Sequence, residues 1–172
     1  MTKEELAKKI FQVSHLTGEF KLRSGITSNE YFDKYQFESI PELLNEISIH
    51  LSKMINFNYD LLAGLEVGGI PIATALGLRI NKPIVFVRKK AKEYGTAKFV
   101  EGQNIKNNEL LIVEDVVTSG GQIISSVEDL RKAGAIINKA ICVIDREQGG
   151  KDALNNIGVE LISLFTMTEL KA

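Results

Sequence analysis

The sequence predicts an α/β fold: a largely parallel central sheet flanked by helices. Three observations carry this. From Asp60 onward, apolar runs of strand length alternate with segments of helical period. The run Leu110 to Val113 is apolar at every position, as in a strand buried on both faces. A glycine-rich turn, Thr118 to Gly121, then opens a helical pattern in which Ile123, Val127 and Leu130 share a face. Repeated strand-helix-strand units pack as parallel sheets covered on both sides.

In chain order, Thr2 is placed to cap an amphipathic helix running to His15, with Glu4 and Glu5 in its first turn and Leu6, Ile10 and Val13 on one side. The irregular alternation from Glu19 to Lys34 suits two short strands joined by a loop. Pro41 is a natural first helical residue, and Leu43, Leu44, Ile47, Leu51, Met54 and Ile55 then recur with helical period. The expected order beyond is strand Leu61 to Leu65, helix Gly69 to Arg79, strand Ile84 to Val87, strand Leu110 to Val113, helix Gln122 to Ala133 and strand Ile136 to Ile144. A short helix from Lys151 and a last strand, Val159 to Phe165, complete the pattern. Arg88 to Asn108 lacks strong periodicity, and so long a loop in a compact domain is usually functional.

A chain of 172 residues, 44% of them hydrophobic, can bury one substantial core, so residues 1–172 are expected to form a single domain. The net charge of -1 gives no global attraction to nucleic acid or an anionic membrane, so any basic site must be local. No apolar run approaches the roughly 20 residues of a membrane span, and the start is too charged for a signal peptide. A cytoplasmic protein is expected. Cys142, inside the apolar run Ala140 to Ile144, reads as a packed strand thiol. His15 and His50 have no partner at metal-ligand spacing, so no direct protein metal site is expected.

Four clusters fall just past strand ends, where open parallel sheets bind ligands. The first runs from Leu110 to Gln122. Glu114 and Asp115 stand at the carboxyl end of the expected strand, followed by Val116, Val117 and the turn Thr118-Ser119-Gly120-Gly121. Such a turn presents unpaired N–H groups at a positive helix end, where a phosphate is well accommodated. The second is the basic run Arg88-Lys89-Lys90-Ala91-Lys92-Glu93-Tyr94-Gly95, a pattern that elsewhere is ordinarily a solvated surface. The third, Gly64-Leu-Glu-Val-Gly68-Gly69-Ile-Pro71, joins a strand to a helix and lets backbone approach a ligand closely. The fourth is Asp145-Arg146, just past the strand ending at Ile144.

The first cluster resembles the phosphoribosyl pyrophosphate (PRPP) signature of type I phosphoribosyltransferases: four hydrophobic residues, two acids, two hydrophobics, Thr, then a small glycine-rich turn. The resemblance extends in order from Gly18 to Gly150. The second cluster is similar to the Arg-Lys-x-Ala-Lys-x-His-Gly loop of orotate phosphoribosyltransferases, with Tyr94 in place of the histidine. The Asp-Arg motif resembles the orotate-recognising motif of the same enzymes.

The resemblance implies a type I phosphoribosyltransferase fold with a small N-terminal hood, about residues 1–38. It implies transfer of the phosphoribosyl group from PRPP to orotate, giving orotidine 5-phosphate and pyrophosphate in pyrimidine biosynthesis. Magnesium would be the cofactor, held mainly through PRPP. Arg88, Lys89, Lys92, Tyr94, Gly68 and Gly69 would face the diphosphate. Glu114, Asp115 and the Val116 to Gln122 turn would hold the ribose phosphate, the acids also stabilising positive charge on the ribose ring in the transition state. Arg23, which stands where the version with lysine has its cation, would bind orotate with Tyr31, Phe32, Thr118 and Arg146. Lys92, with Glu114 and Asp115, is the implied catalytic set. Gly95 and Gly102 bracket a segment able to act as a lid, and Lys92 would reach the neighbouring subunit's site in a homodimer. A phosphoribosyltransferase for another nucleobase, and a PRPP-sensing nucleic-acid-binding regulator of the same fold, are the alternatives.

Overall fold

The structure, a computed structural model, describes residues 1–21, 25–90 and 99–172. Its first helix, α1 (Lys3–Ser14), is closed by a capping box in which Thr2 and Glu5 satisfy each other's backbone N–H groups. The expected strand pair follows as β1 (His15–Lys21) and β2 (Thr27–Phe32), antiparallel, with His15 opposite Phe32. A short helix not expected from the sequence comes next, α2 (Lys34–Glu38). Its cause is local: the Asp33 side chain accepts from the Tyr35 N–H and starts a turn where the aromatic pattern suggested extended chain. Pro41 opens α3 (Pro41–Met54).

The central sheet contains β3 (Leu61–Leu65), β4 (Ile84–Val87), β5 (Val100–Gly102), β6 (Glu109–Val117), β7 (Ile136–Asp145) and β8 (Glu160–Thr166). Their spatial order is β5-β4-β3-β6-β7-β8, parallel throughout except for β5, which pairs antiparallel with β4. Helices α4 (Gly69–Ile80), α5 (Gly121–Lys132), α6 (Gly150–Asn155) and α7 (Met167–Lys171) connect or follow the strands.

Besides the short helices α2 and α7, which were not expected, two strands differ from expectation. Within the segment expected to be an unstructured loop, Val100–Gly102 adds an edge strand, too short to leave a period in the sequence. The strand expected to stop at Val113 continues to Val117, so Glu114 and Asp115 lie inside it and not at its end. The ladder explains this: β7 itself runs on to Asp145, pairing Glu114 with Cys142 and Val117 with Asp145.

Side-chain alternation along β6 separates two cores. Leu111 and Val113 pack with Leu6, Ile47, Ile72 and Leu76 from α1, α3 and α4. Leu110 and Ile112 pack on the other face with Ile123, Val127 and Leu130 of α5. Helices α4 and α5 therefore cover opposite faces, although the strands they follow, β3 and β6, are neighbours. This reversal opens a crevice beyond the carboxyl ends of β3 and β6, the position where such sheets take ligands. Leu111→Ala, at a fully packed position of the central strand, is expected to lower the unfolding free energy by about 2–5 kcal/mol in a denaturant titration.

Candidate active site

The turn after β6 forms the floor of the crevice. Gly120 caps α5 at φ +79°, a conformation that favours glycine, and among the described residues no side chain caps the helix's first N–H groups. A cavity of about 220 Å³ lies over this helix start, lined by Glu114, Val116, Val117 and the turn Thr118, Ser119, Gly120, Gly121 and Gln122. These residues, singled out from the sequence, come together around a site suited to an anion.

Beside it, Gly68 and Gly69 begin α4 pressed against β6. A Cβ on Gly69 would fall 2.3 Å from the Val113 carbonyl oxygen, and one on Gly68 would fall 1.5 Å from Asp115 Oδ2. Only glycine permits this approach, so the turn is fixed by strand packing as well as being open to a ligand.

The two acids have different fates. Glu114 lines the cavity; Asp115 is fully buried beneath the Gly68 turn and does not. Lys34 of α2 places its ammonium 2.5 Å from Asp115 Oδ2. Glu38, one turn further along α2, is also buried and neighbours the same carboxylate. Burial opposes ionisation of Asp115, but hydrogen bonding with Glu114 and Glu38 and the Lys34 charge together hold its carboxyl below the usual range. Burial, reinforced by the Asp115 charge, pushes Glu114 well up, and the same two causes push Glu38 up to about 9. Asp115 thus sits between two acids whose ionisation it opposes and a cation that favours its own. Neither Lys34 nor Glu38 was expected from the sequence, since α2 itself was not.

At the end of β4, Arg88 donates to Glu101 Oε1 at 3.4 Å and the Lys89 N–H donates to Glu66 Oε1 at 2.6 Å. Arg88 and Lys89 line a cavity of about 410 Å³ against α5, where Gln122 connects it to the phosphate turn. Lys92 and Tyr94 lie outside the described residues, as do Arg23 and Gly95.

A larger cavity, about 580 Å³, lies between the β1–β2 sheet and the ends of β6 and β7. Tyr31, Phe32, Thr118 and Arg146 all line it, so four of the five residues expected around a planar base share one chamber. Arg146 Nε is buried there without a hydrogen-bond partner among the described residues. A buried guanidinium N–H left unpaired is costly, and a ligand acceptor relieves that cost. His15, whose ring stacks on Phe11 at 4.7 Å and whose Nε2 lies 2.8 Å from Glu30 Oε2, forms a wall of the same chamber. As an isolated histidine at a helix–strand joint it left no pattern in the sequence.

Residues 35–162 match the phosphoribosyl transferase domain family. The chain belongs to this family. A phosphoribosyltransferase relative from Nocardioides sp., an orotate phosphoribosyltransferase, is 43% identical over 97% of this chain and 93% of its own. Among solved structures, the orotate phosphoribosyltransferase of Mycobacterium tuberculosis in complex with Fe(III) dicitrate superposes with a TM-score of 0.89 at 25% identity, covering 99% of each chain. That of Aeropyrum pernix superposes with a TM-score of 0.79 at 30% identity, covering 96% of this chain and 95% of its own. The phosphoribosyltransferase fold accounts for the turn, the crevice and the two-stranded sheet above it.

The Glu38 carboxyl makes stability pH-dependent. In the unfolded chain it ionises near 4.5; in the fold it stays protonated to about 9. Its contribution is therefore complete below pH 4.5 and is lost as pH rises toward 9. Glu38→Gln, neutral throughout, should lose less melting temperature than the unmodified protein between pH 5 and 9. The gap should widen by at most about 1.4 kcal/mol per pH unit, measured by thermal unfolding across that range.

Proposed function

We propose that this phosphoribosyltransferase transfers the phosphoribosyl group of PRPP to orotate, releasing pyrophosphate and orotidine 5-phosphate. The observation that carries the reading is Arg146: it lines a chamber with Tyr31, Phe32 and Thr118, contiguous with the turn before α5, and its Nε is buried without a partner among the described residues. Orotate is a planar anion, and a guanidinium fork with aromatic neighbours suits its carboxylate or carbonyl oxygens. Thr118 lines both chambers, so the base and the ribose phosphate would meet across it.

In this reading the Thr118–Gly121 backbone and hydroxyls hold the 5-phosphate, and Glu114 accepts from a ribose hydroxyl. The ring nitrogen of orotate attacks the anomeric carbon as its bond to the diphosphate breaks. Positive charge developing on the ribose is stabilised by the acidic pair within β6, Glu114 at the cavity wall and Asp115 behind it. Arg88 and Lys89, with Lys92 and Tyr94 from the following loop, neutralise the departing pyrophosphate, and Arg23 completes the base site. Magnesium fits this donor set as a passenger of the diphosphate. No group of three or more acids, histidines or cysteines among the described residues could hold it alone, while Glu114 offers one carboxylate oxygen at the cavity. The metal would supply charge neutralisation on the leaving group.

The same reading includes residues 1–38 as part of a hood over the base, a homodimer whose Lys92 loop serves the neighbouring site, and a cytoplasmic location. Among the described residues no helix is long and apolar enough to cross a membrane.

Purified protein mixed with PRPP and magnesium should consume orotate, seen as loss of its ultraviolet absorbance, in preference to uracil, adenine or hypoxanthine. No consumption of orotate at saturating substrate would falsify the assignment. Arg146→Ala should lower kcat/KM for orotate by about 10- to 150-fold, the loss of a hydrogen bond to a charged group, with a smaller change in KM for PRPP. Lys92→Ala should cut turnover at least tenfold while the fold, followed by circular dichroism, stays intact; unchanged turnover would remove Lys92 from the catalytic set.

A further inference from the structure

Lys34 and Glu38 of α2 line none of the three cavities of the crevice, yet they are gathered around one of the two acids of β6. Asp115 is fully buried, and its Oδ2 occupies the space that any side chain on Gly68 would need. Its Oδ1 accepts from the Val116 N–H at 2.5 Å, while its own N–H donates to Glu114 Oε1 at 3.0 Å. One residue therefore touches the Gly68 turn and the Val116 backbone through its carboxylate and the acid that faces the cavity through its own backbone N–H. Its counter-charge comes from Lys34, and its remaining polar neighbour is the buried Glu38. Burying an ion pair generally costs more in desolvation than it returns, and an apolar pair of similar volume would often serve stability better. A Lys–Asp pair beneath the substrate turns is better accounted for by what it orients than by what it stabilises.

We propose that Lys34 and Glu38 are positioning residues for PRPP: acting through Asp115, they fix the Gly68–Gly69 turn and the Glu114 carboxylate, so the affinity of the phosphoribosyl site is set from the short helix α2. Lys34 draws the Asp115 carboxylate toward α2. The buried Glu38 side chain fills the space beside the same carboxylate and limits its rotation. With either removed, Asp115 is free to swing, and the two turns it supports lose their fixed separation. The inference rests on the reading that this crevice binds PRPP.

The test is calorimetric titration of PRPP with magnesium into the full chain, with steady-state kinetics alongside. Lys34→Met should weaken PRPP binding at least tenfold and Lys34→Arg should restore most of it, while KM for orotate changes less than twofold. Glu38→Ala should weaken PRPP binding at least fivefold, and Glu38→Gln, which keeps the size and polarity of the side chain, should stay within twofold of the unmodified protein. In an Asp115→Asn background, where no anion remains to be held, Lys34→Met should add less than a twofold effect. PRPP affinity unchanged by Lys34→Met and Glu38→Ala, or effects fully retained beside Asp115→Asn, would overturn the proposal. If Lys34→Met does not fold, the contrast between Glu38→Ala and Glu38→Gln decides alone, equal losses counting against it. An unmodified protein that fails to bind PRPP would instead overturn the functional reading beneath it.

Discussion

The close approach of α4 to β6 is the constraint on which the site depends. Neighbouring parallel strands β3 and β6 send their following helices to opposite faces of the sheet, and the crevice between them exists only if the start of α4 can lie directly on β6. Gly69 meets the Val113 carbonyl and Gly68 meets Asp115, so a single methyl group at either position would force the strand and the helix apart. The phosphate turn, the acidic pair and the diphosphate-side turn share a rim because this contact holds them there. Preorganisation of this kind makes hydrogen bonds and charges effective without rearrangement when a ligand arrives.

Electrostatics refine the arrangement. Two adjacent acids in sequence suggest two equivalent ligands, but the pleat of β6 turns them to opposite sides. Glu114 faces the cavity with a raised pKa, and Asp115 faces inward as an anion matched by Lys34. The outward acid therefore lines the cavity, and the inward one lies buried behind it. Arg146 shows the converse case: a cation at the wall of the larger chamber whose Nε is buried without a partner among the described residues.

Much of this was legible in the residues. The strand-helix alternation gave the parallel core, because strands buried on both faces leave unbroken apolar runs such as Leu110 to Val113. Glycine-rich turns after those runs marked the crevice, and Tyr31, Phe32, Thr118 and Arg146, far apart in the chain, do meet in one chamber. What escaped was short or cooperative. Helix α2 and strand β5 span five and three residues, less than either period needs to declare itself. The extension of β6 through its acids depends on β7 continuing alongside, which is a property of the pair and not of either segment. Lys34 and Glu38 were unreadable for the same reason, since a lysine and a glutamate four residues apart look like a solvated face until the fold closes over them.

The lone cysteine gives the strand arrangement a practical consequence. Cys142 is fully buried in β7 directly opposite Glu114, and burial raises its thiol well above the ordinary range, so in the native state it is both inaccessible and poorly nucleophilic. A thiol reagent can reach it only when the packing of α5 and α6 over this face of the sheet opens. The molecule thus carries its own chemical clock: the labelling rate of one sulfur reports how often the cover over the β6–β7 strand pair lifts.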